Sequence, residues 1–192
     1  MTIFVPYTVA SGDTERIGVE MNGRRRWIIP PRYRQVAKQQ WVLLADAIYC
    51  DGKNIFRYRK GFMWNGASVP KLLQWYEGAG DHLPASLRHD YAYQYHWAET
   101  YDLFGFEWVR ARVGKGWTDA EFRADIELAG TRETKSVNLW LQVHVWGWLP
   151  WLRGTCNGRC YACPCKAGAW CPYRHDLPPM SDKIIHTPGD ET

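Results

Sequence analysis

The chain has 192 residues, of which 46% are hydrophobic and 23% are charged, and its formal net charge at pH 7 is +4. This composition excludes a disordered polymer, and the length allows one domain with an appendage or two small domains. Twelve tryptophans and six cysteines stand out, and five of the cysteines lie between Cys156 and Cys171. Residues 1–40 hold seven Lys/Arg and three Asp/Glu, so the net charge of this segment, +4, equals that of the whole chain.

The two most hydrophobic segments of the chain are too short for a signal peptide or a membrane-spanning helix. The first ten residues are too short and too weakly charged for a secretory signal peptide. The most apolar stretch, Val137 to Leu152, is shorter than the roughly 20 residues that a membrane-spanning helix needs. The sequence therefore predicts a soluble protein without a transmembrane segment.

Two β-hairpins are predicted in the first part of the chain. Residues 15–29 alternate between polar and apolar side chains around Asn22, which is followed by glycine. Residues 41–50 precede Asp51, also followed by glycine, and a second β-rich run comes next. Asn-Gly and Asp-Gly favour tight hairpin turns because these residues tolerate positive φ angles.

Helices are predicted from Gly66 onward. Pro70 precedes the segment KLLQWY, and Pro84 precedes ASLRHDYAYQYHW. Proline is common in the first turn of a helix, where its missing N–H group costs no hydrogen bond. We therefore expect one helix to begin near each proline.

Two further helices are predicted before residue 152. Thr118 and Glu121 form a capping-box pattern, which predicts a helix that begins at Thr118 and ends near Gly130. Apolar residues at helical spacing from about Thr134 predict a last helix, which Pro150 ends. The predicted fold is α+β, with two N-terminal hairpins followed by three or four helices over residues 1–152.

Residues 153–192 are predicted to form a separate, cysteine-rich appendage with a polar tail. The segment is short and holds few aliphatic residues, so it cannot build a core of its own. We expect no regular element longer than a turn in it, and we expect bound metal or disulfides, or packing on the main domain, to stabilise it.

Two short motifs resemble a known family. GFMWNGASVP at residues 61–70 and ASLRHDYAY at residues 85–93, followed by Ala124-Asp125, resemble the uncharacterised phage and prophage domain family numbered 1353. The resemblance covers about residues 40–150. It implies a phage or prophage origin and an α+β fold, and it implies no particular activity. Asn65 stands where this family usually has an aspartate.

A histidine and two aspartates form the first candidate site. His89 and Asp90 are adjacent, and Asp125 follows on a later helix, so together they could hold a divalent metal that activates water. Ser68 could add a hydroxyl ligand or a nucleophile. The alternative is a buried structural network in which Asp125 orients His89 and Ser68 caps a helix. The missing carboxylate at Asn65 favours the network.

The cysteines form the second candidate site. Four thiolates would suit a tetrahedral zinc ion or an iron–sulfur cluster, and a cytosolic phage product would keep them reduced. The spacing matches neither a standard zinc ribbon nor a ferredoxin, so zinc, a cluster, disulfides and free thiols stay open. The predicted ligands are four of the following five: Cys156, Cys160, Cys163, Cys165 and Cys171.

Four tryptophans crowd the last predicted helix and its end. Trp140 and Trp148 lie on its apolar stripe, which predicts that they belong to the core. Trp146 and Trp151 lie off the stripe or beyond Pro150, which favours a role in an interface. A sugar-stacking cleft for peptidoglycan is an alternative interpretation of the same aromatic residues.

The favoured functional hypothesis is a structural and interaction protein of the virion, at the tail tip or baseplate, with a cysteine-bound metal or cluster. Such a protein would be made in the host cytoplasm and would contact other virion proteins and the cell envelope. The alternative hypothesis is a metal-dependent hydrolase that acts on envelope peptidoglycan. Nucleic-acid binding through the N-terminal arginines is disfavoured, because residues 41–153 carry no net charge.

Overall fold

The structure is a computed structural model that describes residues 1–38, 40–64, 83–153 and 180–185. The first half of the described chain contains the strands β1 (Thr2–Thr8), β2 (Thr14–Glu20), β3 (Arg26–Ile29), β4 (Tyr33–Ala37), β5 (Gln40–Leu43), β6 (Ala47–Cys50), β7 (Ile55–Tyr58) and β8 (Met63–Trp64). The second half contains α1 (Leu83–Tyr95), β9 (Trp97–Asp102), β10 (Glu107–Val113), α2 (Lys115–Leu128), α3 (Glu133–Trp146), α4 (Trp148–Arg153) and β11 (Met180–Ile185).

The described strands form three sheets. A six-stranded sheet has the order β11-β10-β9-β7-β6-β3, a three-stranded sheet has the order β4-β5-β8, and β1 pairs with β2. The fold is α+β, but the predicted arrangement of two hairpins followed by helices is wrong. Among the described residues, eight strands precede α1, and a further hairpin, β9–β10, lies between α1 and α2.

The first predicted hairpin does not form. The turn at Asn22 is present, and Gly23 adopts a φ of 75°, but β2 pairs with β1 and β3 pairs with β6. The reason is burial, because Val19 of β2 packs in one apolar cluster with Ile48 of β6. The turn therefore connects two sheets instead of two neighbouring strands.

The second predicted hairpin is confirmed as β6–β7. The Asp51 carboxylate accepts hydrogen bonds from the backbone N–H groups of Lys53 and Asn54, and Gly52 adopts a φ of 98°. The preceding segment is not one strand, however, because it bends between β5 and β6. At this bend the buried Asp46 carboxylate accepts backbone hydrogen bonds from Thr8 and Lys60, each 2.8 Å long.

Helix α1 confirms the start predicted near Pro84, but α2 begins three residues before the predicted position. Its N-cap is Gly114, and Thr118 lies inside the helix with its hydroxyl bonded to the Gly114 carbonyl. The Thr118–Glu121 pattern is therefore not a capping box. Gly130, with a φ of 88°, follows the end of α2 as predicted.

Pro150 does not end the last helix. Helix α3 ends at Trp146, and Pro150 lies inside the short α4 that follows Gly147. Residues 180–185 form β11, parallel to β10, so the expectation of no regular element after residue 153 is wrong there. The helix predicted after Pro70 lies outside the described residues.

Two apolar cores lie on opposite faces of the six-stranded sheet. Tyr49 and Phe56 project into the core that contains Leu87 of α1, whereas Ile48 and Ile55 project into the other core, beneath β1 and β2. Because successive side chains of a strand alternate between its faces, a sheet buried on both sides needs apolar residues at consecutive positions. This explains why every residue of β6 is buried.

Candidate functional site

Helix α1 carries buried polar side chains at consecutive positions, and two of them, Arg88 and His89, reach toward α2. Each meets a different carboxylate of α2: Arg88 pairs with Asp125, and His89 lies beside Asp119. Consecutive side chains of an α-helix point about 100° apart, so the two leave α1 in different directions. They therefore belong to two separate polar clusters.

The Arg88 cluster links α1 and α2 to the six-stranded sheet. The Tyr49 hydroxyl donates a hydrogen bond of 2.8 Å to Asp125, and the Tyr49 ring centre lies 3.8 Å from the guanidinium carbon of Arg88. Glu121 accepts hydrogen bonds from Arg88 and from Arg25, the latter with two parallel bonds of 2.8 and 2.9 Å. Bidentate arginine–carboxylate pairs such as this one add geometric specificity to charge attraction.

The electrostatics of the Arg88 cluster indicate a structural role. Burial opposes the charge of Arg88, yet Asp125 and its other neighbours raise the pKa of this guanidinium. Burial raises the pKa of Asp125 and raises that of Tyr58 to about 12, with Arg88 opposing both shifts. The Asp125 oxygens are bonded to Tyr49 and Arg88, so the predicted orientation of His89 by Asp125 is wrong.

The Asp119 cluster surrounds one fully buried carboxylate. Oδ1 of Asp119 accepts a hydrogen bond of 2.6 Å from the Tyr93 hydroxyl and lies 3.3 Å from Nε2 of His89. Oδ2 accepts a hydrogen bond from the Lys115 ammonium and lies 3.1 Å from Nδ1 of His144. Three helices thus contribute to this cluster, with α2 at its centre.

Asp119 stays ionised across the usual pH range. Burial by itself would raise its pKa, but hydrogen bonds and charges from His89, with help from Lys115 and Tyr93, hold its pKa at about 2. Burial disfavours the His89 imidazolium as well, yet Asp119 and Asp90 raise the pKa of His89 above its usual value. The two groups therefore favour an ion pair.

One atom of the Asp119 cluster lacks a partner. Nδ1 of His89 is buried and makes no hydrogen bond, and the nearest Asp90 oxygen lies 3.6 Å away, beyond hydrogen-bond distance. Buried polar atoms without a partner are rare in folded proteins and often mark functional positions. The imidazole of His144, by contrast, keeps 43% of its side-chain surface exposed.

Lys115 joins the Asp119 cluster to the end of α3. Besides Asp119, its ammonium group contacts the backbone carbonyl oxygens of Val143 and His144, at 3.3 and 2.8 Å. These carbonyls lie in the last turn of α3, where a helix carries partial negative charge and a cation is stabilising. The cluster therefore fixes the position at which α3 ends and α4 begins.

The predicted metal ligands are not assembled in the described part of the chain. His89 and Asp90 are adjacent, but Asp125 belongs to the Arg88 cluster, and no three His, Cys, Asp or Glu side chains among the described residues could hold a metal ion. Ser68 and Asn65 lie outside the described residues. The same is true of the five cysteines predicted as metal ligands, Cys156, Cys160, Cys163, Cys165 and Cys171.

Helices α3 and α4 expose a continuous apolar surface, which we call the α3–α4 surface. Leu141, Val145, Trp148 and Leu152 recur at helical spacing across both helices. This is possible because Gly147, between the helices, keeps a right-handed helical conformation. Between 44% and 68% of each residue is exposed. The surface consists of Leu141, Val145, Trp146, Trp148, Leu149 and Leu152.

The tryptophan predictions are only partly right. Trp146 is 63% exposed, as expected for an interface, but Trp148 is 54% exposed and does not belong to the core. Trp151 instead packs against the core and stacks on His96, with ring centres 4.2 Å apart. Trp140 is half-buried and stacks on His144. Helix α3 buries the face that carries Leu139 and Val143, so the predicted stripe that ends in Trp148 lies on the exposed side.

Sequence reasoning missed Asp119 and His144. Asp119 lies between the two residues of the predicted capping box, and His144 lies in the last predicted helix. One signal was present, because Lys115 and Asp119 are four residues apart, the spacing at which opposite charges meet on a helix. Nothing in the local sequence connects His144 with Asp119, because packing of α3 on α2 brings them together.

No helix in the described part is both long and apolar enough to span a membrane. No curated protein and no solved structure matches the chain. The model of one family, described as a protein of unknown function (DUF1353), matches residues 41–143, a range that contains the α1 and α2 residues of both polar clusters but neither Arg25 nor His144. The chain belongs to the DUF1353 family.

Proposed function

We propose that this protein is an interaction protein of a bacteriophage particle, which binds an apolar surface of another virion protein through its α3–α4 surface. The observation that carries the proposal is the exposure of six large apolar side chains on two adjoining helices. An exposed apolar area of this kind usually marks a binding site, whereas scattered apolar residues do not.

The chemistry of the α3–α4 surface favours a protein partner with few charges. Residues 136–152 contain no Asp, Glu, Lys or Arg, so binding here would not remove water from a formal charge. The centres of protein interfaces are depleted of charged residues and enriched in aromatic ones. Trp146 and Trp148 are the expected anchors, since tryptophan is common among the residues that dominate binding energy.

The Asp119 cluster supports this role from below the surface. Tyr93 and Lys115 both contact the Val143 carbonyl, and His144 lies beside Asp119. These contacts hold the end of α3 in one position before any partner binds. A preformed surface loses less conformational entropy on binding, which increases affinity.

The place of the protein in the particle rests on the sequence. The resemblance to family 1353 implies a phage or prophage origin, and we propose a position at the tail tip or baseplate after synthesis in the host cytoplasm. Five of the six residues of the α3–α4 surface follow residue 143, where the family match ends. We therefore expect this surface to serve a partner particular to this phage.

A photo-crosslinking experiment tests the proposal. A photoreactive amino acid replaces Leu149, or Phe104 as the control, which is 94% exposed on the turn between β9 and β10. The variants are produced during phage growth, and the purified particles are irradiated. We expect a crosslink to one virion protein from position 149 but not from position 104.

Substitutions on the same surface complete the test. We expect Leu149→Asp to prevent incorporation into particles and Phe104→Asp to leave it unchanged. Crosslinks only between copies of this chain, flotation of the pure protein with lipid vesicles through Leu149, or absence of the protein from particles would each contradict the proposal.

One observation favours the hydrolase as a second candidate function. Above its folded-state pKa, His89 is neutral; with its proton on Nε2, toward Asp119, its unpartnered Nδ1 atom could then receive a proton from a water molecule or hydroxyl group. If the protein is a hydrolase, His89→Gln abolishes the clearing of a peptidoglycan suspension while the protein stays folded. A fall in the midpoint with no peptidoglycan activity in the unchanged protein would support a structural role for His89.

We also propose that four of the five clustered cysteines bind zinc or an iron–sulfur cluster. The proposal rests on their spacing within sixteen residues, from Cys156 to Cys171. Anaerobic purification, metal analysis and an absorption spectrum test it. One zinc per chain, or iron and sulfide with a brown colour, would support a metal centre, whereas a metal-free protein with intact disulfides would refute it.

A further inference from the structure

Strand β4 forms an edge of the three-stranded sheet. It pairs with β5 on one side, and no other described strand pairs with its opposite side. All five of its residues are exposed, including Tyr33 at 38% and Val36 at 44%. An edge strand of this kind offers unpaired backbone groups to another extended chain.

The register identifies which backbone groups face outward. The N–H group of Leu44 donates to the carbonyl of Arg32 over 2.8 Å, and Tyr33 lies opposite Leu43. In an antiparallel ladder, hydrogen-bonded and non-hydrogen-bonded pairs alternate. Tyr33 and Gln35 therefore occupy non-hydrogen-bonded positions, and their N–H and C=O groups point away from β5, toward the free edge.

The chain segment that contains this edge carries only positive formal charges. Residues 21–45 contain six Lys/Arg and no Asp or Glu. Two of the six are engaged elsewhere in the fold, Arg25 with Glu121 and Arg26 with Glu20. The exposed cationic residues that flank or belong to β4 are Arg32, Arg34 and Lys38.

We propose that β4 binds an extended acidic peptide segment of a partner protein, which adds to the sheet as a fourth strand. The backbone groups of Tyr33 and Gln35 would supply hydrogen bonds, and Arg34 with its cationic neighbours would select Asp or Glu side chains. A second copy of this chain does not fit, because like charges would then lie opposite each other. The inference is independent of the α3–α4 surface.

A peptide is favoured over nucleic acid by the geometry of the edge. Outward N–H and C=O groups at alternate residues match the repeat of another β-strand, and a phosphate backbone could use only the N–H groups. The binding of duplex DNA is therefore a competing outcome in the test, not a part of the proposal.

The test uses a fluorescein-labelled peptide of about eight residues in which Glu and Val alternate, a length typical of strands. Fluorescence anisotropy with the full chain measures its affinity. Two peptides serve as controls. One has Lys in place of Glu, and the other carries N-methyl groups on the backbone nitrogens that would face β4. We expect the acidic peptide to bind at least about tenfold more tightly than either control.

Variants of the protein locate the binding site. Gln35→Pro removes an outward N–H group and keeps the bonds to β5, and proline is tolerated at such edge positions. We expect Gln35→Pro and Arg34→Glu each to weaken binding at least about tenfold. The matched control Arg16→Glu changes an exposed arginine of β2 and should leave binding unchanged.

Hydrogen exchange supplies a measurement that does not depend on these variants. We expect the acidic peptide to slow exchange at the amides of Tyr33 and Gln35. Equal affinity for the Lys peptide or the N-methylated peptide would overturn the proposal. So would an absence of protection at these two amides, or binding of duplex DNA as tight as that of the acidic peptide.

Discussion

The hydroxyl group of Tyr93 occupies the space that a Cβ atom on Gly147 would fill. Tyr93 belongs to α1 and Gly147 lies between α3 and α4, so this contact sets the distance between the first helix and the α3–α4 surface. The same hydroxyl donates to Asp119, which keeps it from moving aside. Close packing at Gly147 and the buried Asp119 cluster are therefore parts of one arrangement.

We expect Gly147→Ala to destabilise the protein by about 1–3 kcal/mol, because the added methyl group clashes with both the Tyr93 hydroxyl and the Val143 carbonyl. Urea unfolding monitored by tryptophan fluorescence measures the change. Gly114→Ala is the control, since a Cβ there has no neighbour within 4 Å and we expect a cost below about 1 kcal/mol. Equal costs for the two variants would contradict the steric explanation.

We expect Asp119→Asn to cost about 3–5 kcal/mol, because it leaves the buried Lys115 ammonium without its carboxylate. Replacing Lys115 by Met in the same chain removes that unpaired charge and should restore part of the stability. Urea unfolding of the two single variants and the double variant gives the coupling energy. Additive effects would show that the two residues do not stabilise each other.

The stability of the fold should fall as the pH rises above neutrality. The pKa of His89 is higher in the folded state than in the unfolded state, where it is about 6.5. The contribution of His89 to stability is therefore complete below pH 6.5 and is lost as the pH rises through the folded-state pKa. Urea unfolding between pH 6 and pH 9 measures this decline. His89→Gln should flatten it, whereas the control His144→Gln should keep it, and an unchanged decline in His89→Gln would disprove this origin.

Substitutions at two glycines distinguish backbone strain from steric crowding in the β-rich half of the chain. Gly52 and Gly12 have similar positive φ angles, 98° and 104°, but only at Gly52 would a Cβ meet another chain segment, the Gly23 carbonyl at 2.6 Å. Positive φ alone costs roughly 1–2 kcal/mol for alanine. We expect Gly52→Ala to exceed Gly12→Ala by about 1 kcal/mol or more in urea unfolding, and equal effects would exclude the contact as a cause.

The local sequence determined several features correctly. The β6–β7 hairpin follows from Asp51 and Gly52, whose side-chain acceptor and positive φ act within four residues. The start of α1 near Pro84 and the position of Gly130 after α2 are equally local. The family motifs also lie in short continuous segments, which is why they could be recognised without a structure.

Only the tertiary structure decided how the strands pair and which carboxylate meets which cation. The Asn22 turn has the chemistry of a hairpin, yet burial of Val19 and Ile48 in one core assigns its two strands to different sheets. Likewise Asp125 pairs with Arg88, and Asp119 takes the place beside His89. Composition alone excludes a disordered polymer. The pairing of strands and of charges depends on contacts between distant segments, and no local sequence pattern determines the free energy of those contacts.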